Sequence, residues 1–219
     1  MSIEPEQSIA ARGLLRMRNV AEVAKYCGVS DVSYRQFESG RRGVGKDKIE
    51  RARRFFENRG IEFIGHTGVN RQDSKSLLLK GQDGFHLFMD DVYETIAEHG
   101  GEICVSNVDE RNWIKWMGGQ EAYDAHAVRM NTLHNYNFKI MVCEGDRFFI
   151  ASEIGQYKWV PKEKFTTQSF YAYGDKLAII NFAEEEATIN ILSMHGCADG
   201  FRYTFNLLWD VMPEIPNDE

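Results

Sequence analysis

The 219-residue sequence predicts two folded parts, an all-α N-terminal domain with a helix-turn-helix and an α/β C-terminal domain with a mixed sheet. Residues 1–64 carry apolar residues at helical spacing, interrupted by single glycines. Residues 75–219 interleave β-branched and aromatic runs with amphipathic helices. Charge divides similarly, because residues 1–64 hold 13 Lys and Arg against 9 Asp and Glu, and the remainder holds 13 against 24. We therefore place domains at 1–64 and 75–219, joined by a linker over 65–74.

The stretch from Asn19 to Arg42 is the most informative part of the N-terminal domain. Asn19 is a candidate cap for a first helix, and Gly28 readily adopts the positive φ of a sharp turn. Ser30 is a candidate cap for a second helix, which Gly40 ends. The pattern therefore predicts a helix, a tight turn and a second helix. Two flanking helices are predicted over 8–17 and 46–58.

This stretch resembles the helix-turn-helix of the Cro and phage-repressor family. The matching residues are Ala24, Gly28, Val29, Ser30, Tyr34, Phe37, Glu38, Ser39, Gly40 and Arg41. The resemblance implies that the second helix enters the major groove of DNA, where its outward side chains read base edges and nearby cations contact phosphates. The base-reading candidates are Asp31, Val32, Ser33, Arg35 and Gln36. The phosphate-binding candidates are Arg18, Arg41, Arg42 and Lys46.

Two alternatives accompany this resemblance. An acidic Asp31 repels phosphate and could accept a hydrogen bond only from a donor such as cytosine N4, so it could instead cap the helix. The whole stretch could be an ordinary helical packing unit with a solvated basic face. Arg12 and Arg16 are open in the same way, as phosphate neighbours or as part of a solvated surface.

The C-terminal region alternates predicted strands with predicted helices, which is typical of an α/β fold. Strands are predicted over 102–106, 138–143, 148–152, 170–173, 176–182 and 187–192. Helices are predicted over 85–99, 120–136 and 199–212, and an irregular loop is predicted over 157–165.

The succession of loop, hairpin, strand and closing helix in this region resembles one half of a phospholipase-D-like unit. Active members of that superfamily carry H-x-K-x4-D, in which the histidine is the nucleophile. When Asp175 is aligned with the motif aspartate, Phe170 stands at the lysine position and Gln168 at the histidine position. Neither side chain can perform its counterpart's role. We therefore expect a catalytically dead domain with no catalytic residues, in a protein that is not an enzyme.

No residue spacing in the sequence predicts a metal site or a cofactor site. The six histidines show no H-E-x-x-H pattern, and the four cysteines are scattered without C-x-x-C pairs. Buried thiols in a reducing cytoplasm are the first interpretation of these cysteines, and redox sensing by one of them is the alternative. No apolar run reaches about 18 residues, so we expect no membrane partner and a cytoplasmic location.

Five aromatic residues of the C-terminal region are candidates for a ligand pocket. The alternative is that they belong to the core or to a dimer interface. These residues are Trp113, Trp116, Tyr157, Trp159 and Tyr173.

The sequence as a whole predicts a homodimeric, sequence-specific DNA-binding transcriptional regulator, most simply a repressor, acting on a two-fold-related operator. Its expected partners are double-stranded DNA, a second copy of itself, and an effector that the sequence does not identify. One alternative is an antitoxin or adaptor module whose acidic domain binds a basic protein. The other is a DNA phosphodiesterase that the N-terminal domain delivers to DNA.

Overall fold

Four helices and a β-hairpin build the first of the two units into which the chain divides, Met1–Leu78 and Leu79–Glu219. The computed structural model describes residues 3–41, 43–71, 76–194 and 196–216. The elements of the first unit are α1 (Pro5–Leu14), α2 (Ala21–Cys27), α3 (Asp31–Glu38), α4 (Lys46–Glu57), β1 (Ile61–Ile64) and β2 (Gly68–Arg71).

The core of the first unit is built from the apolar stripe of each helix. Val23 of α2, Tyr34 of α3 and Phe55 and Phe56 of α4 are all buried. Phe55 and Phe56 contact edge to face, with ring centroids 5.3 Å apart. These short helices have little stability alone, so the shared apolar cluster is what holds them in place.

The β-hairpin corrects two predictions. Strands β1 and β2 pair antiparallel, with Ile61 opposite Arg71 and Ile64 opposite Gly68. The first unit is therefore not all-α, and residues 68–71 form a strand rather than part of the predicted linker. A turn at Gly65, which has a φ of 57°, brings the two strands together. Residues 72–75, the remainder of that linker, lie outside the described residues.

A seven-stranded mixed sheet is the centre of the second unit, with the strand order β3-β9-β8-β7-β4-β5-β6; its strand β3 begins at Ser76, within the last residues of the first unit. β4, β5 and β6 run parallel, while β4 with β7, β7 with β8, and β8 with β9 pair antiparallel. The α/β prediction with a mixed sheet is therefore confirmed. The elements are β3 (Ser76–Lys80), α5 (Gly81–His99), β4 (Gly101–Val108), α6 (Glu110–Met117), α7 (Gln120–Asn131), β5 (Tyr136–Cys143), β6 (Gln156–Val160), β7 (Gln168–Tyr173), β8 (Lys176–Phe182), β9 (Ala187–Leu192) and α8 (Cys197–Val211).

Helices cover both faces of this sheet. On one face α5 packs against β7 and β9, and α6 and α7 pack beside α5. Phe88 of α5 contacts the rings of Tyr171 and Tyr173 on β7. On the other face α8 packs against β4, β7 and β8, where Phe205 and Trp209 enter an apolar cluster. Among the described residues, no helix combines the length and apolarity needed to cross a membrane.

Candidate nucleic-acid interface

The turn between α2 and α3 has the geometry that its residues predict. Gly28 has φ 68° and ψ 39°, the left-handed conformation that ends α2. The Val29 N–H donates to the Ala24 carbonyl at 3.0 Å. Ser30 is the N-cap of α3, because its Oγ accepts a hydrogen bond from the backbone N–H of Ser33 at 3.2 Å. Ser30, rather than Asp31, therefore caps this helix.

The inward side of α3 is fixed to α1 by an ion pair with two hydrogen bonds. Arg12 Nε lies 2.7 Å from Glu38 Oε1, and Arg12 Nη2 lies 2.6 Å from Glu38 Oε2. Ser8 Oγ donates to the same Glu38 Oε1 at 2.8 Å and lies 2.9 Å from the Tyr34 hydroxyl. The hydrogen bond to Glu38 raises the pKa of Arg12, and burial raises the pKa of Tyr34. Arg12 therefore positions α3.

The outward side of α3 carries most of the predicted base-reading residues at its surface. Asp31, Val32 and Arg35 are exposed, and Ser33 and Gln36 are half-buried. Val32 is 65% exposed although it is apolar. The remaining positions of the helix, Tyr34, Phe37 and Glu38, are buried in the core of the first unit.

The predicted phosphate-binding residues come from different segments of the first unit. Arg18 lies between α1 and α2, Arg41 follows α3, and Lys46 begins α4; all three are exposed. Arg42, the fourth predicted residue, lies outside the described residues. A methyl group added at Gly28 would lie 3.4 Å from Lys48 Nζ, so a cation of α4 also lies beside the turn. No signal in the sequence distinguishes Lys48, because its position beside the turn depends on the packing of α4.

A surface cleft of about 380 Å³ adjoins the start of α2. Arg16, Arg18 and Arg59 line it together with Asn19 and Glu22. Arg16 has a φ of 57°, which is uncommon for a residue other than glycine. The Arg59 guanidinium stacks 3.7 Å from the Phe55 ring centroid, and burial lowers its pKa. The cleft therefore concentrates arginines beside Arg18.

The five candidate pocket aromatics do not form one pocket in the second unit. Trp113 packs against Phe85 and Phe182, while buried Tyr173 donates a hydrogen bond to Asp91 at 2.7 Å. The Nε1 of buried Trp116 has no hydrogen-bond partner among the described residues. The two others lie on β6. Tyr157 donates to Glu110 Oε1 at 2.7 Å, and Trp159 Nε1 donates to the Asp146 carbonyl at 2.8 Å. These aromatics are core and loop contacts.

A cavity of about 30 Å³ in the second unit brings together two titratable groups that the sequence analysis did not single out. Glu110 and His126 both line it, and both are buried. Burial is the main cause that raises the pKa of Glu110 to about 7. Burial, with a further contribution from Arg129, lowers the pKa of His126 to about 4. The cavity has room for about one water molecule.

The three positions aligned with the phosphodiesterase motif are spread along one hairpin. Gln168 is exposed at the start of β7, and Asp175 is exposed in the turn after Tyr173. Phe170 stacks on Phe201 with ring centroids 5.8 Å apart. Within the described residues, no cluster of His, Cys, Asp or Glu could hold a metal ion. All four cysteines carry free thiols.

Comparisons with known proteins place the similarity at the level of the fold. No protein-family model and no curated protein sequence matches the chain. Solved structures that are similar include TrmBL2, an archaeal chromatin protein with a novel mode of DNA binding (12% identity, TM-score 0.41, 67% of this chain and 56% of that chain). NucT from Helicobacter pylori is similar at 9% identity (TM-score 0.42, 64% of this chain and 99% of that chain). Nuc from Salmonella typhimurium, a phospholipase D family member, is similar at 12% identity (TM-score 0.40, 65% and 99%).

These comparisons correct one prediction. The expectation that the chain is not an enzyme is wrong, because the similar structures include a member of the phospholipase D family. That expectation rests on the residues at one alignment of one motif. The chain spans about half the length of TrmBL2, at 56% of that chain.

Proposed function

We propose that the protein is a sequence-specific DNA-binding transcriptional regulator. The outward face of α3 is the observation that carries this proposal. Asp31, Val32 and Arg35 are exposed there while Tyr34 and Phe37 anchor the opposite side. A short helix that packs against the core on one side and carries mostly polar side chains on the other suits the major groove.

Charge supports the same proposal. Arg18 and Arg41 are exposed in loops and Lys46 is exposed at the start of α4, which gives the first unit cations that can contact phosphates. Residues 65–219 hold 24 Asp and Glu against 13 Lys and Arg, so phosphates repel that part of the chain. DNA should therefore meet the N-terminal unit, and the protein should act as a cytoplasmic homodimer with two such units on a two-fold-related operator.

Selection of bound duplexes from a random pool tests this function. We expect an enriched sequence made of two related half-sites about one helical turn apart or a multiple of it. Repeating the selection with cell metabolites tests for an effector, and co-purification of a stoichiometric basic protein would favour the adaptor alternative. If the protein binds every duplex no better than an unrelated acidic protein does, the proposal is contradicted.

Replacing Gln36 with alanine separates base reading from general affinity. Gln36→Ala should change the preference at particular base pairs by about 1–3 kcal/mol, because its amide can pair with a base edge. Binding to a panel of single-base operator variants measures this change. Gln120→Ala, at an exposed site on α7, is the matched control. Equal weakening across the whole panel would contradict the base-reading role.

Replacing Arg41 with alanine tests a phosphate contact. Arg41→Ala should weaken all duplexes similarly and reduce the salt dependence of binding by about one phosphate equivalent. Lys164→Ala, an exposed cation of the second unit, is the control and should leave both quantities unchanged. DNA strand cleavage should also be measured in these assays, once with Mg²⁺ and once with a chelator. Phosphodiester hydrolysis needs a direct measurement because the expectation that the chain is not an enzyme is corrected above.

A further inference from the structure

The last helix, α8, is apolar on two opposite sides. Its inner side packs on the sheet through Phe205 and Trp209. Four large apolar side chains on the outer side remain in solvent. Their exposed fractions are 70% for Tyr203, 55% for Leu207, 49% for Leu208 and 79% for Val211.

The outer side of α8 exposes an apolar area large enough to form part of a protein interface. At these exposed fractions the four side chains present about 450 Å², within the roughly 300–600 Å² of the largest apolar patch on a typical monomer, which is often functional. Gly200 and Thr204 are exposed on the same side of the helix. We call these six residues the α8 outer face.

We propose that the α8 outer face binds a second copy of the chain, with α8 against α8 about a two-fold axis. Tyr203, Leu207 and Val211 follow one another at intervals of four residues. Rows with this spacing interdigitate when two helices cross at about −50°. A two-fold axis at Leu207 sets that side chain against the partner's Leu207 and sets Tyr203 against the partner's Val211.

Area favours a second copy, and charge disfavours nucleic acid and anionic lipid as occupants. The two copies together bury about 900 Å² through the large apolar side chains, and flanking residues bring the total near the roughly 1,200 Å² at which specific interfaces begin. Residues 65–219 hold 24 Asp and Glu against 13 Lys and Arg, so nucleic acid and anionic lipid are repelled. The choice of a second copy rests on the proposed function, which needs two DNA-binding units.

Introducing a charge at Leu207 gives a test that depends on self-pairing. We expect the full-length protein to sediment as a dimer over part of the range from about 1 to 100 μM, which is common for interfaces of modest size. Leu207→Lys and Leu207→Glu should each weaken the dimer at least about 30-fold, because a two-fold axis places like charges side by side. Mixing the two variants should restore the dimer, since opposite charges then meet.

Matched substitutions at an exposed valine elsewhere control for surface charge. Val128 on α7 is 68% exposed, close to the value for Val211. Val128→Lys should leave the dimer unchanged, whereas Val211→Lys should weaken it. Circular dichroism of each variant establishes that the fold is retained, as expected for exposed positions.

Each result either supports or overturns this interface. A monomeric wild type at every concentration overturns it, as does a Leu207→Lys variant that remains dimeric or a mixture that stays monomeric. Because the mass is measured without DNA, the outcome is separate from the proposed function. If the dimer dissociates when a charge is introduced at Leu207 but the protein binds no duplex, the interface is supported and the DNA-binding function is rejected.

Discussion

At the residue scale, the ion pair between Arg12 and Glu38 joins α1 to α3 in the first unit. Their side chains are 16% and 7% exposed, so removing one partner leaves a charge nearly buried and uncompensated. Arg12→Met should lower the free energy of unfolding by about 3–5 kcal/mol. Lys25→Met, at an exposed cation of α2, should change it by less than about 0.5 kcal/mol.

Two signals can follow this effect separately. All four tryptophans lie between residues 113 and 209, within the second unit, so their fluorescence reports that unit alone. Far-ultraviolet circular dichroism reports helices of both units. Arg12→Met should shift the circular-dichroism transition in urea and leave the tryptophan transition in place. An unchanged circular-dichroism transition would show that the pair contributes little.

Glu110 and His126 should affect stability with opposite signs as the pH changes. The pKa of Glu110 is raised from 4.5 to about 7, so its contribution is full below pH 4.5 and lost as the pH rises to about 7. The pKa of His126 is lowered from 6.5 to about 4, so its contribution is full above pH 6.5 and lost as the pH falls to about 4. The contributions of Glu110 and His126 to the free energy of unfolding therefore change in opposite directions between about pH 4.5 and 6.5.

Glu110→Gln should reveal how the stability that His126 contributes changes with pH. Relative to the wild type, this variant should lose stability as the pH falls from about 6.5 to 4.5, by on the order of 3 kcal/mol. His126→Asn should show the reverse trend over the same range. Urea unfolding followed by tryptophan fluorescence at several pH values measures both. Parallel profiles for the wild type and Glu110→Gln would contradict the raised pKa of Glu110.

At the element scale, the local residue pattern predicts α3 and the hairpin of β7 and β8 correctly. It does not predict the segments whose structure depends on contacts with other elements. The run 148–152 was predicted as a strand and is a loop. The Ile150 N–H donates to Glu110 at 2.7 Å, and the Ala151 N–H donates to the Tyr157 hydroxyl at 2.9 Å. Glu110 lies 40 residues earlier in the chain and Tyr157 belongs to β6, so the run 148–152 itself contains neither partner.

Strand β6 was hidden for a related reason. The run 157–165 is predicted as an irregular loop centred on Pro161, whereas residues 156–160 form β6. In the structure Lys158 is buried, and its Nζ donates to the carbonyls of Trp209 at 3.1 Å and Met212 at 2.9 Å. The C-terminal carbonyls of α8 stabilise this cation, which lets a lysine occupy a buried strand position.

The turn between α2 and α3 offers a prediction about glycine. Gly28→Ala should destabilise the first unit by about 1–2 kcal/mol, because φ 68° is strained for any residue with a Cβ. Gly13→Ala is the matched control within α1, where an added methyl group meets no atom within 4 Å. It should stabilise the unit by up to about 1 kcal/mol. Thermal unfolding followed by circular dichroism compares the two, and a neutral Gly28→Ala would contradict the expected strain.

At the scale of the whole molecule, the division of charge was readable from the sequence, whereas the burial of the aromatic residues was not. Counting Lys, Arg, Asp and Glu along the chain separates a basic N-terminal part from an acidic remainder. The residue types alone do not decide whether Trp113 and Tyr173 line a pocket, because Phe85, Phe182 and Asp91 from other elements determine their environment.

The dependence of DNA binding on salt should report how many N-terminal units engage the duplex. With Arg18, Arg41 and Lys46 each neutralising one phosphate, one unit should bind a single half-site about 40-fold more weakly at 200 mM than at 50 mM salt. Two units on a complete operator should double the logarithmic slope and weaken binding about 2,000-fold over the same range. Leu207→Lys should retain the half-site slope on both duplexes, since its units bind independently. Fluorescence anisotropy with labelled duplexes measures all of these slopes, and equal wild-type slopes on half-site and full operator would argue against binding as a dimer.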